Sequence, residues 1–321
     1  MTYDSQISIS RRPLEIVLAE PRGFCAGVVR AIAIVEAALE KWGAPVFVRH
    51  QIVHNARVQA ELEAKGAVFV EDVEDCPGDR PIIISAHGAS PQVFDEARAA
   101  ASVLVDATCP LVARVHARIK EASRAGRDTI LIGHAGHQEV TGSLGQAEPG
   151  RVHLVETLED AHALSLPAHA AVSLATQTTL SRDETQKIEE ILSSRFPALI
   201  QPKHDDICYA TTNRQGAIKA LSREIDTVLV IGCPNSSNTN RLVETARNTG
   251  KMSAFLVPDR SAIPWHAIEG VSALGVTAGA SAPEVIMQEV LEALSQRYDI
   301  RIKTLKTTNE GVRFPMPDEV S

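Results

Sequence analysis

Short apolar, β-branched runs alternate along the chain with amphipathic stretches, and loops of small and polar residues separate them. Residues 14–20 (LEIVLAE), 81–86 (PIIISA), 129–133 (TILIG) and 227–232 (TVLVIG) are near-continuous apolar runs, each followed by a polar loop. Such runs suit strands buried on both faces, since neither face meets water. Residues 28–42 (VVRAIAIVEAALEKW) and 281–298 (SAPEVIMQEVLEALSQRY) carry their apolar side chains at helical spacing. The alternation predicts an α/β fold with mostly parallel sheets. In such sheets ligands sit beyond the carboxyl ends of the strands, where these polar loops lie.

A weak internal repeat sharpens this picture. Cys25, Cys109 and Cys208 each lie just before a helical stretch: CAGVVRAIAIVEAAL, CPLVARVHARIKEAS and CYATTNRQGAIKALS. A strand and a polar loop follow, and the loops carry His54, His137 and Ser237, 28 or 29 residues after the cysteine. A short strand comes next (VFVED, HLVET, AFLVPD), marked by Val70, Val155 and Val257. A last strand leads to a second polar loop, marked by His87, Thr178 and Thr277. The pattern predicts three similar α/β units: 14–109, 110–207 and 208–300. Residues 1–13 form an N-terminal extension and 301–321 a C-terminal tail. Packed around a pseudo-threefold axis with their loops inward, the units would bring three thiols together.

Composition narrows the function. The 321 residues carry 32 Lys and Arg against 40 Asp and Glu, a net charge of −8, with no basic block. Nucleic acid and anionic membrane surfaces are poor partners for such a chain. No apolar run approaches the roughly 20 residues that cross a bilayer, and MTYDSQISISRRP has no hydrophobic signal core. The five cysteines are scattered, odd in number and free of any CxxC pair. They predict a reducing cytoplasm rather than a disulfide framework.

Three thiolates converging from distant positions suggest a metal centre, and soft sulfur selects zinc, cuprous copper or an iron–sulfur cluster. Three ligands would leave one iron of a cubane open. Cys76 and Cys233 occupy other places in their units and are read as non-ligands. His54, His87 and His137 sit at strand ends, where imidazoles suit phosphate oxygens. His134 shares the GHAGH stretch with His137, and only one of the two needs to face the site. The remaining histidines, His50, His116, His153, His162, His169, His204 and His266, read as surface or structural. NSSN (Asn235 to Asn238) and TAGASAP (Thr277 to Pro283) lie at predicted helix starts, where backbone N–H groups and hydroxyls cradle anions without basic side chains. Glu139, two residues from His137, is a candidate proton carrier. Neither GxxxxGK[ST] nor a strand-borne GxGxxG is present, which argues against P-loop and Rossmann nucleotide sites.

Taken together, PRGFCAGVVRAI, VHN, SAHGAS, DATCPLV, GHAGHQEV, TQTTLS, DDICYATTNRQ, NSSN and TAGASAP resemble the LytB family of 4-hydroxy-3-methylbut-2-enyl diphosphate reductases, from about residue 14 to about residue 300. The resemblance implies a cloverleaf of three α/β domains around an oxygen-sensitive [4Fe–4S] cluster. Cys25, Cys109 and Cys208 would hold it and leave one iron open. The diphosphate would be bound by His54, His87, His137, Ser236, Ser237, Asn238 and Ser281. Glu139, Thr178 and His137 would form the catalytic set, with Glu139 relaying protons and Thr178 near the substrate hydroxyl. The products would be isopentenyl and dimethylallyl diphosphate, the last step of the non-mevalonate route. Electrons would come from ferredoxin or flavodoxin, and a monomer is expected. Two departures from the family pattern stand out: Gln138 replaces an expected proline, and Cys233 precedes NSSN.

Two other classes fit parts of the same residue set. A zinc hydrolase of a phosphorylated metabolite would use three Cys with an open position, and Glu139 as base. A non-enzymatic iron–sulfur or phosphate sensor would use the ligands without the chemistry.

Overall fold

The computed structural model describes residues 11–321. In chain order the elements are β1 (Arg12–Glu20), α1 (Ala26–Trp42), β2 (Val46–Arg49), α2 (Ala56–Ala64), β3 (Ala67–Val70), β4 (Pro81–Ile84), α3 (Pro91–Ala100) and β5 (Val103–Asp106). Then come α4 (Pro110–Arg124), β6 (Asp128–Ile132), α5 (Gln138–Leu144), β7 (Val152–Val155), α6 (Leu158–Ala163), β8 (Val172–Thr176) and α7 (Arg182–Arg195). The chain ends with α8 (Tyr209–Leu221), β9 (Thr227–Ile231), α9 (Ser237–Asn248), β10 (Ser253–Val257), α10 (Trp265–Ile268), β11 (Ala273–Ala278), α11 (Glu284–Arg297) and β12 (Tyr298–Lys306).

The strands form three sheets, ordered β3-β2-β4-β5, β7-β6-β8 and β10-β9-β11-β1-β12. Every pairing among them is parallel. The apolar runs are explained by burial on both sides. Along β9, Leu229 and Ile231 enter one core cluster while Val228 and Val230 enter another. Ile130 and Ile132 of β6 divide from Leu131 in the same way, as do Ile82 and Ile84 of β4 from Ile83. Side chains alternate faces along a strand, so a strand under two helical layers must be apolar at every position.

The same three-strand wiring, outer–central–inner, recurs in all three sheets: β3-β2-β4, β7-β6-β8 and β10-β9-β11. Val70, Val155 and Val257 are the last residues of the three outer strands. Each unit also has a further segment beyond its inner strand. It is β5 in the first unit and β1 in the third, while in the second Ile200 makes an isolated parallel bridge to Ser173. Each of these segments leads to the cysteine that opens the next unit, so Cys109, the last residue of the expected unit 14–109, stands at the start of the second unit's first helix and is counted with that unit. Accordingly β1, placed by its sequence position in the first unit, pairs instead with β11 of the third unit's sheet. Residues 298–306 form β12 on the other side of β1, so the tail begins as a strand. Sequence order cannot show this, because the strand that closes the ring of units comes first in the chain. Of the expected extension 1–13, residues 1–10 lie outside the described residues, and Arg12 and Pro13 belong to β1.

Thr277 differs from expectation as well. It is a fully buried residue of β11 and not a loop residue. The loop position equivalent to the other units falls at Ala280. Among the described residues, no helix is long and apolar enough to cross a membrane.

Candidate functional site

Cys25, Cys109 and Cys208 immediately precede α1, α4 and α8 and stand at their N-caps. Each backbone N–H is held by the last loop of the preceding unit. Cys25 donates to Ala280 O (3.2 Å), Cys109 to Ala86 O (2.9 Å) and Cys208 to Thr178 O (3.0 Å). One rule of chain wiring thus delivers a thiol to the junction three times, each beside the loop that carries Ser281, His87 or Thr178. Burial pushes the Cys109 thiol up to about 12, and the neighbouring Cys25 and Cys208 thiols add to the effect. Burial first, then Cys25, raises Cys208 to about 11. Thr211 opposes that rise, with its hydroxyl 3.2 Å and its N–H 3.4 Å from the Cys208 sulfur.

Gly27 shows how closely the sulfurs approach. A Cβ at Gly27 would stand 2.8 Å from the Cys109 sulfur and 3.8 Å from that of Cys25. Among the described residues, however, no three His, Cys, Asp or Glu side chains are close enough to share one metal ion. Three thiols that line one cavity can serve a polynuclear group, which takes one sulfur per metal.

The histidines form one cluster. The His54 and His87 rings stack with centroids 4.2 Å apart, and His137 stands edge-on to both at 5.4 and 5.9 Å. Burial lowers the pKa of His54. It holds His87 well below the usual imidazole range, with His54 and His137 adding repulsion. Burial, followed by His54 and His134, brings His137 to about 4. Uncomplexed, the cluster is neutral, and His54 Nε2 is buried with no hydrogen-bond partner. A neutral imidazole with an unpaired ring nitrogen can donate to an incoming acceptor.

Hydroxyls of the third unit join them. Ser236 caps α9 and accepts from the Thr239 N–H. The Ser281 hydroxyl lies 3.1 Å from His54 O and 3.3 Å from the Ser236 hydroxyl, and so binds the third unit to the first. Ser237 Oγ accepts from Gln177 Nε2 (3.3 Å) and Thr179 Oγ1 (3.0 Å), which leaves its own proton free to donate. Asn238 accepts the Ala280 N–H at 2.8 Å and donates to Thr211 at 3.2 Å.

Glu139 lies in the first turn of α5, two residues after the N-cap His137, and is 2% exposed. Both its oxygens accept from Thr178. Burial still dominates and raises the carboxyl to about 7. At neutral pH Glu139 can therefore both hold and release a proton.

One cavity is lined by all of these: Cys25, Cys109, Cys208, His54, His87, His137, Glu139, Thr178, Ser236, Ser237, Asn238 and Ser281. The other candidates lie elsewhere. Cys76 is buried in an apolar cluster behind β4. Asn235 donates to Gln51 outside the cavity. His134 faces Glu156 at 3.7 Å. His153 pairs with Asp128, and His50 with Glu71. Cys233 does not line the cavity. Sequence reasoning missed Gly27, Thr179, Tyr209 and Phe314, which also line it. Tyr209 could have been found, since it follows Cys208 and its hydroxyl accepts the Ala26 N–H, one residue past Cys25. Phe314 lies in the tail and carried no signal.

The fold and site define a small-molecule pocket at the junction of three parallel α/β units, built from soft sulfur, neutral imidazoles, hydroxyls and one protonatable carboxyl. The chain belongs to the LytB family, whose model, described as LytB protein, matches residues 16–295. It is 52% identical over 308 residues to the 4-hydroxy-3-methylbut-2-enyl diphosphate reductase of Hyphomonas neptunium, covering 96% of this chain and 98% of the relative. Identity to the enzyme of that name from Cereibacter sphaeroides is 52% over 309 residues, 96% and 97% of the two chains. Among solved structures, the Plasmodium falciparum E-1-hydroxy-2-methyl-but-2-enyl-4-diphosphate reductase superposes with a TM-score of 0.90 at 34% identity, covering 97% of both chains.

Proposed function

We propose that this chain reduces 4-hydroxy-3-methylbut-2-enyl diphosphate to isopentenyl and dimethylallyl diphosphate. The allylic C–O bond breaks and a C–H bond forms: two electrons and one proton go to the allyl carbon skeleton, and a second proton turns the departing hydroxyl into water. The observation that carries the reading is the cavity itself, which combines three thiols from three units with an imidazole–hydroxyl cradle and a buried carboxyl near neutrality. The relatives of the same length bear the name of this reductase.

A [4Fe–4S] cluster on Cys25, Cys109 and Cys208, with one iron open, would supply the electrons and a Lewis-acid position for the hydroxyl. The chain supplies the rest. His54, His87, His137, Ser236, Ser237, Asn238 and Ser281 hold the diphosphate by N–H and O–H donors, which reconciles an anionic substrate with a net charge of −8. Thr178 orients Glu139, which delivers a proton toward the departing hydroxyl. A low-potential ferredoxin or flavodoxin would supply the electrons. Metal and sulfide analysis separates this reading from the zinc hydrolase, which would use the same three thiols.

The test is anaerobic purification, iron and acid-labile sulfide analysis, and turnover of the hydroxy-allyl diphosphate with a strong chemical reductant. Cluster-loaded protein that never released the two isoprenyl diphosphates would overturn the activity. Stoichiometric zinc without sulfide would overturn the cofactor.

A further inference from the structure

Residues 307–321 form no strand, yet the polar contacts of Glu310 and Pro315 converge on the segments that carry the three thiols. Arg214 of α8 is fully buried. Its guanidinium donates to Gly23 O, two residues before Cys25, at 2.8 and 3.2 Å, and to Ala210 O, two residues after Cys208, at 2.9 Å. The same group binds both carboxylate oxygens of Glu310 at 3.1 and 3.3 Å, and Asn213 adds a bond to Glu310 at 2.9 Å. Arg30 of α1 serves the remaining thiol. It donates to Thr108 O, the residue before Cys109, at 3.1 Å and to Pro315 O at 2.6 Å. Between these two anchors, Phe314 lines the cavity alongside Cys25, Cys109 and Cys208. Beyond them, Met316 and Val320 pack into the core beneath α1.

A fully buried guanidinium requires its charge to be balanced, and Glu310 balances it. Each arginine holds a thiol-bearing segment with one part of its fork and the tail with another. A chain end that only covered apolar surface would have no reason to meet all three thiol segments. An aromatic wall beside sulfur ligands excludes water, and exclusion of solvent governs the lability of sulfur-held metal.

We propose that residues 310–316 are a strap that seals the thiol end of the cavity. Phe314 is the plug, and the Arg214–Glu310 and Arg30–Pro315 contacts are its two fastenings. The strap rests on the reading that the three cysteines hold an iron–sulfur group, and it slows loss of that group. Phe314 and Glu310 are positioning residues.

The experiment follows iron transfer from the anaerobically loaded full chain to a ferrous chelator, well below the melting temperature. Phe314→Ala is expected to release iron about tenfold faster, the low end of what loss of a group just outside the ligands costs a metal site. Phe314→Leu restores most of the retention, and Val312→Ala, an exposed neighbour that does not line the cavity, behaves as wild type. Glu310→Gln keeps the side-chain shape, removes the balancing charge and also speeds release. Wild-type release from both Phe314→Ala and Glu310→Gln overturns the strap. So does equal acceleration by Phe314→Ala and Val312→Ala, which would mark general loosening of the tail. Wild-type chain that takes up no iron at all overturns the functional reading instead, and the strap with it.

Discussion

Thr178 donates twice to Glu139, its backbone N–H to one carboxylate oxygen at 2.7 Å and its hydroxyl to the other at 3.0 Å. The carbonyl of the same Thr178 accepts the Cys208 N–H. One residue thus fixes the Glu139 carboxyl relative to a thiol-bearing helix start. Two hydrogen bonds of this kind ordinarily lower a carboxyl's pKa, but loss of water around Glu139 outweighs them.

Glu139→Gln retains the shape and loses the transferable proton. Turnover should fall by about 10²- to 10⁴-fold, the usual worth of a positioned acid. Substrate affinity should change little, because the imidazoles and hydroxyls proposed to hold the diphosphate stay in place. Single-turnover assays alongside equilibrium binding check the split. Near-wild-type turnover would remove Glu139 from the proton path.

The same substitution has a signature in stability. Glu139 has a folded pKa of about 7 against an ordinary value of 4.5, so the folded state binds the extra proton between these values. Its contribution is present below pH 4.5 and is lost as pH rises through 7. The full cost of ionising it in place is about 3 kcal/mol. Gln carries no such cost and can donate its amide to the Thr178 hydroxyl. Thermal melts should therefore show Glu139→Gln more stable than wild type at pH 8, with the gap closing by pH 5. A gap independent of pH would mean that Glu139 is not held near neutrality.

The histidine cluster titrates in the opposite sense. His137 is lowered to about 4 from 6.5, so the free protein keeps it neutral through the physiological range. A bound diphosphate places negative charge against it and raises its affinity for a proton. Calorimetry of inorganic pyrophosphate near pH 6, in buffers of different ionisation heat, should show greater proton uptake by wild type than by His137→Ala. Affinity should fall about tenfold or more in the variant, as for loss of a hydrogen bond to a charged group. Equal proton uptake by both proteins would exclude His137 from the anion site.

How much of this was legible beforehand follows from the kind of signal each residue leaves. The strand runs were readable because burial on two faces imposes an unbroken apolar pattern, and the outer-strand valines because they recur at one place in each unit. Cys25, Cys109 and Cys208 were readable because each ends the same strand-to-helix turn. The ring closure by β1 was not, since pairing between the two ends of a chain leaves no local trace. Thr277 misled for a related reason: a polar residue in an inner strand looks like the start of a loop. Gly27 and Phe314 act by space alone, one by leaving it and one by filling it, and neither has a titratable group to mark it.

Cys109→Ser should abolish stable cluster binding, and Cys25→Ser and Cys208→Ser should do the same, since each thiol comes from a different unit and none has a neighbour to substitute. Cys76→Ser should retain iron, at a stability cost of about 1 kcal/mol for a hydroxyl in an apolar cluster. Cys233→Ser should be neutral for cluster content. Iron and sulfide analysis of the five variants checks the division. A full cluster in Cys109→Ser would break the rule of one thiol per unit.

Gly27→Ala separates the cofactor site from the fold. Gly27 lies in the first turn of α1, where alanine is favoured over glycine by about 1 kcal/mol. The added methyl, however, would meet the Cys109 sulfur at 2.8 Å. Something must shift, and the thiol is the group within reach that is not part of the backbone. The chain without iron should melt at or above the wild-type temperature, whereas iron uptake on anaerobic reconstitution should fall sharply. A lower melting temperature with full iron content would mean that the helix moved and the thiol stayed. Glycine would then be serving the packing of α1 rather than the space between two sulfurs.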